Sequence, residues 1–166
     1  MEAYNKVIDK NEMDADYASY QKSMCYGFVN RADQKIALLL DFAKQYPRSS
    51  YRDDALHALG TAYSNRKKYE KALRVFDQLS DNHKKSIHLP SAILKKGLIY
   101  FNTNKSEKSI KTYRELVKSY PRSKEAQQAI QNARQVYVEL DKVTAYALWL
   151  QSIEHSDFTN TDLDNT

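Results

Sequence analysis

The chain has 166 residues, enough for one ordinary domain with a buried core. Only three Gly and three Pro occur, so long loops and tight hairpins are scarce, and the plentiful Ala, Leu, Lys, Gln and Glu favour an all-α domain. A formal charge of +5 is mildly basic and well mixed with acidic residues, the single Cys25 excludes an internal disulfide, and no apolar run reaches the ~18 residues of a membrane span.

Met1-Glu2-Ala3-Tyr4 is neither basic nor followed by an apolar stretch and does not read as a signal peptide, so either a cytoplasmic protein or an excised piece with its targeting segment elsewhere is expected. From there, apolar residues at helical spacing predict eight helices, near 16–30, 33–46, 51–65, 68–81, 89–102, 105–119, 124–139 and 141–154. The first pair ends in "YPRSS" at Tyr46 to Ser50. The second pair shows Ala55, Leu56, Leu59, Ala62 and Tyr63, a polar break at Ser64 to Lys68, and then Tyr69, Ala72, Leu73, Phe76 and Leu79. The third pair ends in "YPRSK" at Tyr120 to Lys124. After the fourth, Asn160-Thr161-Asp162 reads as another helix start.

The two "YPRS" copies lie 74 residues apart, and half of that is the period. A shift of 37 aligns Tyr26, Tyr63, Tyr100 and Tyr137. It also aligns Ala18, Ala55, Ala92 and Ala129; Ile36, Leu73, Ile110 and Ala147; Leu39, Phe76, Tyr113 and Leu150; and Phe42, Leu79, Leu116 and Ile153. A worn third joint appears at His83-Lys84-Lys85-Ser86, and a fourth at Asp157-Phe158-Thr159-Asn160. Ser49, Ser86 and Ser123 stand where N-caps are needed. One hairpin cannot bury its apolar face alone, so the units must stack.

"LHALGTAYSNRKKYEKALRVF" resembles a tetratricopeptide repeat. That family has a small residue at position 8, Tyr at 11, Ala at 20 and an aromatic at 24, matched here by Gly60, Tyr63, Ala72 and Phe76. Gly97, Tyr100, Tyr113 and Pro121 carry the third unit, with Ser109 in place of the alanine. The first unit has Ser23 and Lys35 at the small positions, and the fourth has Arg134 and Tyr146, which oppose close helix packing. The resemblance implies a right-handed superhelical solenoid of antiparallel helix pairs over residues 16–156. Its units run about 16–52, 53–89, 90–126 and 127–156. Residues 1–15, with Tyr4, Val7 and Ile8, are expected to be the tail of a preceding repeat or an extension, and 157–166 the start of a further one, in a segment cut from a longer array. The 37-residue unit with a "YPxS" joint also resembles bacterial envelope members of the family, which implies a periplasmic location, with the cytoplasm as the alternative.

Chemistry-bearing motifs are sparse. His57, His83, His88 and His155 do not pair at the spacing of a helical metal site, so no metal or cofactor is expected. His83 and His88 bracket an inter-helix loop, where solvated histidines are common. Cys25 shares a column with Ala62, Ile99 and Val136 and reads as core. Asp53 and Asp54 suit a helix start. Neither a phosphate loop nor a nucleophile elbow occurs, so the chain is expected to be non-catalytic.

Function is therefore expected in surfaces. The resemblance implies a concave groove lined by the first helix of each unit. It carries over to Tyr17, Tyr20, Met24 and Gly27 with Phe28 adjacent; to Asp54, His57, Thr61 and Ser64; to Ser91, Leu94, Leu98 and Phe101; and to Gln128, Gln131, Gln135 and Val138. Family members that clamp a chaperone's C-terminal carboxylate need cations and amides at positions occupied here by Tyr20/Met24, His57/Thr61, Leu94/Leu98 and Gln131/Gln135, so no clamp is present. The groove is expected to hold an apolar or aromatic segment of a partner protein or peptide. Alternatively, Tyr17, Tyr20 and Met24 pack on a neighbouring segment of the same chain. An RNA-binding role would rest on Lys71, Arg74, Lys108, Lys111, Arg114 and Lys118. It is disfavoured by the interleaved Glu70, Asp77, Glu107 and Glu115. A third reading is the regulatory repeat region of a larger enzyme.

Overall fold

A computed structural model describes residues 2–9, 14–28 and 31–163, with side chains described except at 9, 28 and 154–163. The described residues form nine helices: α1 (Glu2–Asp9), α2 (Ala15–Phe28), α3 (Ala32–Gln45), α4 (Arg52–Asn65), α5 (Tyr69–Asn82), α6 (Leu89–Asn102), α7 (Ser106–Ser119), α8 (Lys124–Glu139) and α9 (Val143–Leu163). They pair as antiparallel hairpins α2–α3, α4–α5, α6–α7 and α8–α9, and each second helix packs on the first helix of the next pair. The first helices form one layer, where α6 touches both α4 and α8, and the second helices form the other. The architecture is an all-α solenoid.

The periodic columns supply the core. Leu39, Phe42, Phe76, Leu79, Tyr113 and Leu116 are fully buried along the second helices, facing Ala18, Ala55, Ala92 and Ala129 on the first. The layer spacing depends on glycine. A Cβ on Gly60 would lie 2.5 Å from the Phe76 ring, and one on Gly97 would lie 2.3 Å from the Tyr113 ring. Each ring lies on the backbone of the opposing helix. In the first unit Ser23 takes that place, fully buried, and its hydroxyl donates to the Tyr20 carbonyl at 2.6 Å.

The fourth unit packs differently from the column pattern. Arg134 turns outward and Ala147 is exposed. Trp149 is buried instead, within 6.2 Å of Tyr137 and 6.0 Å of Tyr146, and the Tyr146 hydroxyl donates to the Ile130 carbonyl. The close approach given up by Arg134 is thus replaced by three aromatic rings. Helix α9 also runs through 157–160 without a break, so the expected fourth joint is not a joint in the backbone. At the other end α1 is a helix packed on α2.

Within the α4–α5, α6–α7 and α8–α9 hairpins the turn is a Schellman motif. Lys67, Asn104 and Asp141, one period apart, each adopt φ 55°. The next residue's N–H bonds back to the tyrosine column: Lys68 to Tyr63 at 2.9 Å, Lys105 to Tyr100 at 2.8 Å and Lys142 to Tyr137 at 2.8 Å. In the first unit the Arg31 N–H bonds to the Tyr26 carbonyl at 2.9 Å. Asn and Asp tolerate the left-handed conformation, whereas lysine does so at a cost.

The joints between hairpins differ from the expected serine caps. Only Ser123 is an N-cap, accepting from the Ala126 N–H at 3.1 Å. Ser49 and Ser86 instead accept from Tyr51 N–H and His88 N–H, two residues on, at 3.1 and 3.2 Å. Ser123 is extended (φ −79°, ψ 149°), so α8 starts immediately after it. At the first two joints the chain makes another turn through Tyr51 and His88 before α4 and α6 begin.

Three outcomes follow. Gly97→Ala should lower unfolding free energy by about 1–3 kcal/mol in urea denaturation, because the fully buried Tyr113 ring has nowhere to go. Lys67→Asn should raise stability by roughly 0.5 kcal/mol and Asn104→Ala should lower it by about 1 kcal/mol, measured the same way.

Candidate functional site

The face formed by α2, α4, α6 and α8 carries the residues expected to line a groove. Its first part is aromatic. Tyr51, delivered by the extra turn of the first joint, stacks on Tyr20 with centroids 5.8 Å apart and planes 10° apart, and meets Tyr17 at 5.2 Å. Tyr20 also reaches Phe42 at 6.2 Å, so it is half in the core, while Tyr17 remains 41% exposed. Burial, followed by the nearby Asp54 and Asp53 carboxylates, raises the Tyr20 phenol pKa. Met24 is half-buried on the same core cluster. Tyr17 and Tyr20 thus pack on their own hairpin and on the joint that follows it. The Phe28 and His155 side chains lie outside the described residues.

One unit on, the same construction uses histidines. His88 stacks on His57 with centroids 4.6 Å apart and planes 5° apart. The His57 Nε2 lies 3.0 Å from Ser91 Oγ, and the His88 Nε2 lies 2.9 Å from Asp54 Oδ1. His88 is thus not the solvated loop residue that its position suggests. Burial first, and then the positive charges of His88 and Lys95, pull the His57 pKa down to about 4. Thr61, next along α4, is half-buried with its hydroxyl unpartnered.

The third part is aliphatic. Leu94 and Phe101 are half-buried against the C-terminal cluster, and Leu98 is 37% exposed. The fourth is polar. Gln131 and Gln135 are exposed, and Gln135 donates to Glu139 at 3.2 Å. Cys25 is half-buried, less enclosed than its column mates Ile99 and Val136.

Tyr51 and His88 were absent from the sequence-derived groove, yet they stand one period apart. Each rests on the position 31 residues before it, Tyr20 and His57 respectively. The signal was in the period, but only the turn geometry directs these rings back over the preceding hairpin.

A second concavity, of about 780 Å³, lies between α5, α6 and α7, lined by Asp77, Asp81, Lys96, Lys108, Lys111 and Glu115 among others. Lys96 pairs with Asp77 at 2.6 Å. Its field is mixed in sign, unlike the continuous positive surface that phosphates require. Among the described residues, no three His, Cys, Asp or Glu side chains stand close enough to share a metal ion, and no helix is long and apolar enough to cross a membrane.

The repeat model for the tetratricopeptide family matches residues 54–86 and 91–123, the two units built on Gly60 and Gly97. The chain carries tetratricopeptide repeats. Solved structures agree on the fold. MamA superposes with a TM-score of 0.73 at 17% identity, covering 97% of this chain and 88% of that one. A tetratricopeptide repeat protein from Parabacteroides merdae gives 0.70 at 17% identity, covering 85% of this chain and 51% of that one. A putative kinesin light chain with nearly identical TPR-like repeats, from Podosopora anserina, gives 0.68 at 9% identity, covering 97% and 86%. No curated protein matches the chain in sequence. The repeats are, at the coarsest level, those of a protein-interaction scaffold.

The histidine stack sets a pH dependence. His57 binds a proton more readily when unfolded, near 6.5, than when folded, at about 4. Its contribution to stability is therefore complete above 6.5 and is lost as pH falls from there toward about 4. With solvent screening at a half-buried site, the loss is on the order of 1 kcal/mol. Thermal melts across that window should show the wild type losing more stability than His57→Gln.

Proposed function

We propose that the chain is a non-catalytic scaffold that binds an extended or helical segment of a partner protein along the face of α2, α4, α6 and α8. The supporting observation is the Tyr17–Tyr20–Tyr51 surface, where rings are held in place by each other and by Phe42 yet keep an open edge. Pre-ordered aromatic rings lose little entropy on binding and offer large apolar area. Leu94, Leu98 and Phe101 supply a second apolar step two units further along, and the histidine stack separates the two. A fitting segment therefore carries two apolar or aromatic anchors separated by a polar stretch. Exposed Gln131 and Gln135 suit hydrogen bonds to the backbone of its far end. This arrangement offers no cation pair for a terminal carboxylate, so recognition is internal to the segment.

Selection from a displayed random-peptide library tests this reading. Peptides that bind the wild type should carry paired apolar anchors. They should lose about tenfold or more in affinity for Tyr17→Ala/Leu98→Ala, which alters two exposed side chains and spares the core. Equal binding by that variant would exclude this face.

A further inference from the structure

Beyond its two apolar steps, the face of α2, α4, α6 and α8 carries a row of polar groups across its middle. Contacts between successive units run at one offset: His57 meets Ser91, and Asp54 meets His88, 34 residues on. The same offset leads from Gly27 to Thr61 and from Thr61 to Lys95, so these positions stand level on α2, α4 and α6. Gly27 is exposed and offers no side chain of its own. The Lys35 ammonium takes that place, with Nζ 3.1 Å from where a Gly27 Cβ would stand. Lys35 belongs to α3, so its side chain crosses from the second layer to reach the first. Lys95 follows Ser91 by one turn of α6 and lies on the same side of that helix. Both lysine charges act on His57, one turn before Thr61 on α4. The Thr61 hydroxyl between them has no partner.

Neither lysine is neutralised by the chain. Among the described residues no carboxylate lies within ion-pair distance of Lys35 or Lys95. The nearby carboxylates are engaged elsewhere: Asp54 with His88 at 2.9 Å, Asp33 with Arg66 at 2.9 Å and Asp77 with Lys96 at 2.6 Å. Asp53 stands with Asp54 at the start of α4, where both act on Tyr20. Helix α4 is thus polarised along its length, with carboxylates beside the tyrosines and ammonium groups level with Thr61. Lys35 is half-buried, and burial lowers its pKa. A partly desolvated cation without a counter-ion gains from an anion that reaches it.

We propose that the polar stretch between the two apolar anchors of the bound segment carries an aspartate or glutamate, whose carboxylate seats over Thr61 between Lys35 and Lys95. This assignment rests on the partner-binding role of the face and names one residue type in the partner. The two cations approach from opposite sides of α4, one from α3 and the other from α6, and neither occupies a position of the chaperone clamp. A side chain in mid-segment suits them better than a chain end, because the face continues past them to Leu98 and Phe101.

Fluorescence polarisation with labelled synthetic peptides tests the site. Each peptide carries two apolar anchors joined by a spacer of serine and glutamine, with glutamate, glutamine or lysine placed at each spacer position in turn. At the best position glutamate should bind about fivefold tighter than glutamine, and lysine more weakly than either. The advantage of glutamate should shrink as salt rises from about 50 to about 500 mM. Lys95→Gln and Lys35→Met should each remove most of that advantage and leave the glutamine peptide's affinity unchanged. Thermal melts should show no loss of stability in Lys35→Met, since a half-buried charge is removed. Peptides that bind, lose affinity for Tyr17→Ala/Leu98→Ala and show no preference for glutamate would leave the binding face standing and overturn the acidic residue. A glutamate advantage that survives both lysine variants overturns it as well. Absence of binding by every peptide overturns the face and the acidic residue together.

Discussion

The structure depends on how closely two helices of one hairpin can approach. Phe76 and Tyr113 are fully buried because Gly60 and Gly97 present bare backbone to their rings. Burying each ring contributes roughly 2–3 kcal/mol, and that gain holds only at this spacing. The spacing fixes where the first helices stand, and these in turn bury the alanine column on the next unit. Where the small residue is missing, another solution appears: a buried serine in the first unit and an aromatic trio around Trp149 in the fourth. The solenoid is thus regular in its middle and individual at its ends.

The joints translate this regularity into surface chemistry. Because the first two joints make an extra turn after their serine, Tyr51 and His88 are carried back over the preceding hairpin. The third joint places Ser123 in an extended conformation, and the helix begins at once. Two of the three joints therefore add a ring to the candidate binding face. The same face gains an aromatic surface at Tyr20 and a polar, pH-sensitive one at His57, with one backbone construction behind both.

Much of this was legible in the chain. The period of 37 placed α3 to α8 within one or two residues, and it identified the tyrosine, alanine and aromatic columns before any coordinates. What the period could not show was how a repeated position is used. Tyr51 and His88 share a column with Asp14 and Glu125, so composition gave no hint that two of the four would stack. Lys67 sits in a left-handed turn shared with Asn104 and Asp141, a conformation that lysine does not announce. Arg134 and Tyr146 signalled that the fourth unit departs from the pattern, but not that Trp149 would take over the packing.

By itself the sequence determined the helices, their pairing and the stacking of units, because these follow from spacing along one dimension: apolar residues recurring every three or four positions and every 37. The tertiary structure decided which side chains meet across units. Those contacts depend on the turns at the joints, where Ser123 caps its helix directly while Ser49 and Ser86 bond to the N–H two residues on. The stack of His88 on His57, and the burial of Trp149 between Tyr137 and Tyr146, exist only once the helices are placed against one another.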